Sequence, residues 1–254
     1  MDIGMIGLGK LGLPVALAMS LKGHNVIGYD INPALMQSES YPHRELGPND
    51  EPSLEPALRG SNLVFGDLPE VVALSDIIFV SVQTPHDPRY EGITRLPDER
   101  IDFNYRYLET AVAALSAEIA RQGSDKVVVI ISTVLPGTIR ERILPLINER
   151  VKLCYNPYFI AMGTVIRDFY HPEFILLGTH DQAAAEVVTA FYSTITEAPV
   201  YATAIENAEL IKVAYNTYIS TKIAFVNTLM EICHKLPGTD IDQVTGALAL
   251  ANRR

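Results

Sequence analysis

The residues with the clearest chemical meaning lie at the start of the chain, where Gly7, Gly9 and Gly12 follow the spacing G-x-G-x-x-G. An apolar stretch of strand length (residues 2–7) precedes them, and a helical pattern (residues 11–22) follows. In this setting Gly7 allows a tight turn, Gly9 lets a pyrophosphate approach the backbone, and Gly12 lets the helix pack closely against the strand. The N–H groups at a helix N-terminus attract phosphates. The motif therefore predicts a dinucleotide-binding site, with Lys10 and Leu11 as further contacts.

An acidic residue stands at the end of the second predicted strand. Asp30 follows the apolar run at residues 25–29, about 18 residues beyond Gly12. Its carboxylate is expected to accept hydrogen bonds from the adenosine ribose and to repel a 2′-phosphate. Ile31 and Asn32 follow, and neither offers a positive charge to that phosphate. The sequence therefore favours NAD over NADP. A glycine-rich turn without a cofactor is the alternative.

The elements that must position this site alternate between strands and helices over the first two-thirds of the chain. Continuous apolar runs rich in β-branched residues are typical of strands that are buried on both faces. The alternation predicts an α/β fold, a Rossmann-type doubly wound parallel sheet. Beyond those already given, the predicted strands are residues 76–82, 126–132, 151–155 and 174–178, the predicted helices are 108–122 and 182–194, and the predicted loops are 38–52 and 86–101.

The pattern changes near residue 200. A helix without Gly or Pro is predicted from Ile205 to about Lys235, roughly 45 Å long at about 1.5 Å per residue. A second short helix is expected after Thr239 or Asp240. We therefore predict an NAD-binding domain at residues 1–200, then a long connecting helix and the start of a helical domain at residues 201–254. A helix of this length usually connects domains or packs against another subunit, so we expect a homodimer through it.

The composition excludes several classes of protein. The net charge is −10, and both nucleic acids and anionic membranes need a basic surface. We find no apolar run long enough to span a membrane and no signal peptide, so we expect a cytoplasmic protein. Cys154 and Cys233 are far apart and are expected to be small apolar residues, without a disulfide bond. The six histidines are scattered, and we predict no metal site.

Six segments, in order along the whole chain, resemble the UDP-glucose/GDP-mannose dehydrogenase family. The resemblance implies an enzyme that oxidises the primary alcohol of a nucleotide sugar to a carboxylate in two NAD-dependent steps, in polysaccharide biosynthesis. The segments are IGLGKLGLPVA (6–16), VQTP (82–85), STVLPGT (132–138), YNPYFIAMG (155–163), DFYHPEFILLG (168–178) and ENAELIKVAYNTYISTKIAFVN (206–227).

The resemblance also implies roles for residues that match the family motifs. Thr133 would hold a water or substrate oxygen near the nicotinamide, and Lys212 and Asn216 would stabilise the developing oxyanion. Positions i and i+4 share one helix face, so these two side chains can converge on one oxygen. A lysine whose pKa is lowered by burial can also act as a base. The other residues expected beside NAD are Val82, Thr84, Pro85 and Ser132.

Some of these polar groups also have a structural interpretation. Lys212 fits a solvated position on the helix surface as well as a site. Glu209, Asn216 and Asn227 equally suit hydrogen-bonding positions where the helix meets a domain. For Asn227 we favour the structural role.

The chain departs from the family at the residues that form the acid. The second oxidation uses a nucleophilic cysteine in a G-G-S-C-F-P-K-D motif, which these 254 residues do not contain. Cys233 and His234 are neighbours on a helix, and their side chains point to different faces. Tyr158 and Met162 stand where the family has two glutamates, the second of which is thought to activate water. Methionine cannot act as a base.

Three hypotheses follow. The first is a nucleotide-sugar 6-dehydrogenase whose catalytic cysteine and nucleotide-recognising C-terminal domain lie beyond Arg254. The second is a single-step NAD-dependent alcohol dehydrogenase of the β-hydroxyacid dehydrogenase type, which needs no cysteine. The third is a catalytically silent NAD-binding and dimerisation module. Under the first hypothesis, the domain absent from this chain selects most of the sugar and the nucleotide.

Overall fold

The computed structural model describes residues 1–37 and 41–251, and the chain divides into two compact units, Met1–Leu210 and Ile211–Arg254. In the described part of the first unit, eight strands form one sheet. The strands are β1 (Asp2–Ile6), β2 (Asn25–Tyr29), β3 (Val64–Phe65), β4 (Ile77–Val80), β5 (Lys126–Ile130), β6 (Val151–Tyr155), β7 (Ile175–Thr179) and β8 (Val200–Thr203).

The order of the strands in the sheet is β3-β2-β1-β4-β5-β6-β7-β8. β1 is parallel to both of its neighbours: Ile6 lies opposite Tyr29 of β2 and opposite Val80 of β4. The carboxyl ends of these three strands therefore meet at one edge of the sheet. Because the chain moves outward in opposite directions from β1, this edge is a topological switch point, where open α/β sheets bind their ligands.

The α/β fold is confirmed, but the expectation of a wholly parallel sheet is wrong at one place. β7 is antiparallel to β6, with Tyr155 opposite Gly178, whereas β8 is again parallel to β7. The connection between β6 and β7 contains only a six-residue helix, which is about 9 Å long at about 1.5 Å per residue. Such a helix is too short to carry the chain back across the sheet. The chain therefore enters β7 from the edge at which β6 ended.

Helices cover the sheet and complete the core. The first, Gly12–Leu21, is buried from Gly12 to Ser20, and the Tyr170 hydroxyl donates to its Ala18 carbonyl at 2.9 Å. The helices are α1 (Gly12–Leu21), α2 (Glu55–Gly60), α3 (Leu68–Leu74), α4 (Arg106–Gln122), α5 (Val165–Tyr170), α6 (Gln182–Ser193), α7 (Ile205–Lys235) and α8 (Ile241–Ala249).

Several of these elements were not predicted. β3, β8, α2 and α5 have only two to six residues, too few for a periodic pattern. α3 did carry a local signal: Asp67 and Glu70 form a capping box, in which each side chain accepts from the other residue's N–H. The loop predicted at residues 38–52 has no helix or strand over residues 41–52, while residues 38–40 lie outside the described residues. The loop at 86–101 contains only the short 3₁₀ helix Pro88–Tyr90.

The long helix runs from Ile205 to Lys235, as predicted, and the division between the two units falls inside it. The short helix α8 begins after Asp240, whose carboxylate accepts from the N–H groups of Asp242 and Gln243. Among the described helices, none is long and apolar enough to cross a membrane.

Candidate functional site

Glycines shape the turn between β1 and α1. Gly7 has a φ of +91°, and a Cβ at this position would lie 2.6 Å from the carbonyl oxygen of Ser81. A Cβ at Gly12 would lie 1.8 Å from the carbonyl oxygen of Gly7, so the helix can approach the turn only without a side chain. A Cβ at Gly9 would meet no atom within 4 Å. The tight turn and the close packing are those expected from the motif, and Gly9 faces open space.

The start of α1 adjoins this open space. No side chain caps the helix at Leu11, and Lys10 is exposed. The first N–H groups of an α-helix have no partner within the helix. These donors, together with the partial positive charge of the helix end, form an environment that suits a phosphate group.

The carboxylate of Asp30 is held at the end of β2 by two backbone groups. Its Oδ2 accepts from the N–H of Leu8 at 2.7 Å, and its Oδ1 accepts from the N–H of Asn32 at 2.8 Å. Asp30 is half-buried. Because a carboxylate oxygen can accept more than one hydrogen bond, this carboxylate keeps capacity for a ligand hydroxyl. Its contact with a ribose stays a prediction.

Two hydroxyl groups join the loops that follow β4 and β5. The Ser132 hydroxyl donates to the Val82 carbonyl at 2.6 Å, and the Thr84 hydroxyl donates to the Thr133 carbonyl at 2.7 Å. Pro85 comes directly after Thr84. The structure therefore brings together the five predicted residues of these two loops. Ser132 and Thr84 use their own hydrogens within the protein, which leaves their oxygens as acceptors.

These loops adjoin the glycine turn through the pairing of β1 with β4. The N–H of Ser81 donates to the Ile6 carbonyl at 2.7 Å, and Gly7 lies against the Ser81 carbonyl. The residues expected beside a dinucleotide come from four separate segments of the sequence. In the structure they line the carboxyl edge of β1, β2, β4 and β5.

The turn that follows Thr133 is fixed by a buried carboxylate of α7. Glu209 is 0% exposed, and its oxygens accept from the N–H of Gly137 at 2.7 Å and from that of Ile139 at 2.8 Å. Burial raises the pKa of Glu209, and these two hydrogen bonds counteract that effect. The structural role that was one interpretation of Glu209 is therefore confirmed.

Tyr158, one of the two departures from the glutamate motif, takes part in a chain of hydrogen bonds. Its hydroxyl lies 3.0 Å from that of Tyr192, which donates to the Asn156 side chain. Asn156 in turn donates to the Leu176 carbonyl of β7 at 2.7 Å. Burial raises the pKa of Tyr158 and of Tyr192, so both stay neutral phenols. These residues line a shallow pocket that is open to solvent. Met162 is 58% exposed.

Lys212 and Asn216 belong to the second unit and lie one turn apart on α7. The Lys212 ammonium donates to Oδ1 of Asn216 at 3.5 Å. The lysine is only 7% exposed, and burial lowers its pKa to about 8. The interpretation of Lys212 as a solvated surface lysine is therefore wrong.

The buried thiol of Cys154 does not have the surroundings of a nucleophile. Cys154 is fully buried in β6, and burial raises its pKa to about 11. Cys233 is half-buried on α7, and both thiols are free. No group of three or more metal-ligating side chains occurs among the described residues.

Comparison with known proteins identifies the family of this chain. The NAD-binding domain of the UDP-glucose/GDP-mannose dehydrogenase family matches residues 1–196, and the central domain of the same family matches residues 206–254. The chain belongs to this family. It is 32% identical to UDP-glucose 6-dehydrogenase YwqF of Bacillus subtilis, over 96% of this chain and 53% of that protein. It is 28% identical to GDP-mannose 6-dehydrogenase of Pseudomonas putida, over 94% of this chain and 54% of that protein.

Solved structures of family members have the same fold. A GDP-mannose dehydrogenase from Pseudomonas aeruginosa, in a ternary complex, superposes with a TM-score of 0.85 at 27% identity and covers 100% of this chain and 58% of its own. A UDP-glucose dehydrogenase from Pyrobaculum islandicum gives a TM-score of 0.82 at 31% identity, over 100% and 57%. The chain spans about half the length of the curated relatives it matches.

The cofactor of this dehydrogenase family domain is NAD, and the residues present fit it. A Cβ at Gly9 would enter open space, and the start of α1 has no side-chain cap. The Asp30 carboxylate directly follows β2 and bonds to the N–H of Leu8. These are the features that a dinucleotide pyrophosphate and its ribose require. The individual contacts of the predicted residues with NAD stay predictions.

Two buried residues, Tyr41 and Glu45, were not predicted from the sequence to have any role near the site. Tyr41 and Glu45 lie in an irregular loop, and both are buried there. Their segment is polar and contains prolines, which indicated only a loop. The one available signal was a tyrosine and an acid in a short polar segment, and this combination is common on protein surfaces.

Proposed function

We propose that this chain forms the cofactor-binding and alcohol-oxidising part of an NAD-dependent nucleotide-sugar dehydrogenase. Family membership supports the reaction class. The single observation that carries the proposal is the open space at Gly9, between the uncapped start of α1 and the carboxylate of Asp30. The substrate would be a nucleotide sugar with a primary alcohol. Residues 1–200 would bind NAD, and residues 201–254 would begin the helical domain.

NAD, when bound, supplies the oxidising power by accepting two electrons from the alcohol carbon. The protein must then orient the alcohol and remove its proton. Thr133 would hold the reacting oxygen or a water, because it lies at the carboxyl end of β5 beside the cofactor loops. Lys212, with a pKa of about 8, has an appreciable neutral fraction near neutral pH and would accept the proton at Nζ. Asn216 would donate from its amide to the developing alkoxide.

A second candidate function is favoured by Tyr158 and Met162. Two residues that are glutamates in the family motif carry no carboxylate here, and the Tyr158 hydroxyl is bonded to Tyr192. A site without these carboxylates suits a single oxidation that ends at the aldehyde or ketone, as in a β-hydroxyacid-type alcohol dehydrogenase. A silent NAD-binding and dimerisation module is the remaining alternative.

The yield of NADH per molecule of sugar separates these functions. The purified protein is incubated with excess NAD and a limiting amount of UDP-glucose, GDP-mannose or UDP-N-acetylmannosamine, and the NADH formed is measured. Two NADH per sugar would support the acid-forming reaction, and one would support the single oxidation. Tight NAD binding with no NADH from any sugar would contradict the proposal for this chain. The matched control is Lys212→Met, which should abolish NADH formation while NAD binding persists.

We further propose that the protein is a cytoplasmic homodimer through α7. The helix carries many exposed apolar side chains, among them Tyr218, Ile223, Phe225 and Ile232. Their contact with a second copy would remove this apolar surface from water. Light scattering should give twice the chain mass, and a strict monomer at high micromolar concentration would contradict the proposal. A double variant, Ile223→Glu with Phe225→Glu, should convert a dimer to a monomer.

A further inference from the structure

Residues 41–47, which we call the strap, contact the glycine turn at one end. The Tyr41 hydroxyl donates to the Lys10 carbonyl at 3.1 Å and lies 3.5 Å from the Gly9 carbonyl. Tyr41 is 8% exposed, and its ring meets that of His43 edge to face at 5.3 Å. Burial raises the pKa of Tyr41, so its hydroxyl keeps the proton that it donates.

This contact orients the groups that would bind the pyrophosphate. A peptide bond is planar, so the carbonyl of one residue and the N–H of the next point in fixed, opposite directions. When Tyr41 holds the Lys10 carbonyl, it also sets the direction of the Leu11 N–H. The Gly9 carbonyl bears the same relationship to the Lys10 N–H. Tyr41 thus contacts the far side of the two peptide groups whose N–H groups lie directly before α1.

The other end of the strap holds the last residue of the altered glutamate motif (residues 155–163) and the start of the segment after it. Glu45 is 3% exposed, and its Oε2 and Oε1 accept from the N–H groups of Gly163 at 2.9 Å and Val165 at 2.7 Å. The Leu46 N–H donates to the Gly163 carbonyl at 3.3 Å. Three hydrogen bonds therefore fix this end, and Gly163 comes directly after Met162.

Glu45 lies only four positions after Tyr41, so the two ends are at most about 14 Å apart along the chain. Tyr41 and Glu45 are both buried, so water cannot readily replace their hydrogen-bond partners. Leaving a buried polar group without a partner costs about 1 to 3 kcal/mol of stability. The strap therefore connects the Lys10 and Leu11 peptides with residues 163–165 through two buried side chains.

We propose that Tyr41 and Glu45 are positioning residues, through which NAD binding at the glycine turn orders residues 163–165 and the motif segment before them. The consequence for substrate binding rests on the proposed function, but the coupling itself requires only NAD. Tyr41 orients the phosphate-binding N–H groups, and Glu45 anchors the strap from which it does so.

The first test uses the unaltered protein and NAD alone. Amide hydrogen exchange is measured with and without saturating NAD. We expect slower exchange at Gly163 and Val165 when NAD is bound, although neither residue belongs to the glycine turn. Exchange at these two amides that is indifferent to NAD would overturn the proposal, and because no sugar is present, the result does not depend on dehydrogenase activity.

The second test compares matched variants by calorimetric titration with NAD. Tyr41→Phe should weaken NAD binding roughly fivefold, the effect of one hydrogen bond worth about 1 kcal/mol. Tyr170→Phe is the control, because its hydroxyl also donates to a carbonyl of α1, that of Ala18, far from the turn. It should leave NAD affinity unchanged. Equal NAD affinities for the two variants would overturn the role of Tyr41.

The role of Glu45 is tested by a double-mutant cycle. Glu45→Gln should weaken NAD binding although it contacts neither Gly9 nor Lys10, and it should abolish the NAD-dependent protection at Gly163. In the double variant with Tyr41→Phe, the two losses should not add, because both break one connection. Additive losses would show that the two residues act separately. Asp181→Asn is the control. Like Glu45, which accepts from the first N–H of α5, Asp181 is a carboxylate that accepts from a backbone N–H at the start of a helix, α6.

Discussion

A methyl group on Gly12 would lie 1.8 Å from the carbonyl oxygen of Gly7. This distance is far inside van der Waals contact, and the obstacle is backbone, which cannot rotate away. Gly9, two residues beyond Gly7, has no protein atom within 4 Å of the same position. The two glycines therefore serve different purposes: Gly12 is required by the fold, and Gly9 leaves room for the ligand.

This difference predicts opposite results for two alanine variants. Gly12→Ala should lower the free energy of unfolding by about 3 kcal/mol, the range of a strongly overpacked site. Gly9→Ala should leave stability unchanged and weaken NAD binding at least about tenfold, because the new methyl group occupies the space of the pyrophosphate. Urea unfolding and titration with NAD measure the two effects. If Gly9→Ala bound NAD normally, the cofactor would not lie above Gly9.

Asp30 is predicted to determine the choice between NAD and NADP. Asp30→Ala should weaken NAD binding about tenfold and reduce the preference over NADP, since the repulsion of a 2′-phosphate is lost. The variant also removes the acceptor of the Leu8 and Asn32 N–H groups. Asp30→Asn therefore serves as a comparison, because it keeps an acceptor and removes the charge. Unchanged affinity of both variants for both cofactors would contradict the assignment.

The hydrogen bond from Ser132 to the Val82 carbonyl is predicted to maintain the cofactor loops. Ser132→Ala should reduce stability by about 1 kcal/mol and weaken NAD binding severalfold. Ser193→Ala is the matched control, because its exposed hydroxyl also donates to a carbonyl, that of Ala190 at 2.7 Å. It should change neither property. Equal NAD affinity for the two variants would indicate that this bond supports only the fold.

The pKa of Lys212 predicts a dependence of stability on pH. Burial lowers this pKa from 10.5 to about 8, so the unfolded chain binds more protons than the folded protein between these values. Stability should therefore rise with pH from about 8 to 10.5, and the cost of the buried charge is fully present below pH 8. Lys212→Met should remove this rise and stabilise the protein at neutral pH, by on the order of 3 kcal/mol at most.

The control for this prediction is Lys222→Met, which alters an exposed lysine of the same helix. Unfolding by urea across the stated pH range is the measurement. The Lys222 variant should show the same rise in stability as the unaltered protein. If the Lys212 variant also showed it, another group would be responsible.

Several features of the site could be predicted from the sequence because they depend on neighbouring residues. The glycine spacing determines the turn at Gly7 and the close packing at Gly12. The position of Asp30 follows from the length of one strand–helix–strand unit, and the bounds of α7 follow from an uninterrupted helical pattern. The capping box of Asp67 and Glu70 indicates the start of α3. In each case the interacting groups lie within about 30 residues, so spacing alone specifies them.

Other features were decided only by the tertiary structure. The carboxylate of Glu209 meets Ile139 across 70 positions, and that of Glu45 meets Val165 across 120. The antiparallel direction of β7 depends on how α5 packs, and the pKa of Lys212 depends on its burial. Local sequence limits which groups can form hydrogen bonds, but the partner of a buried carboxylate is selected by the whole fold. The physical reason is that folding removes water from that carboxylate, and the backbone N–H groups brought beside it are the donors that replace the water.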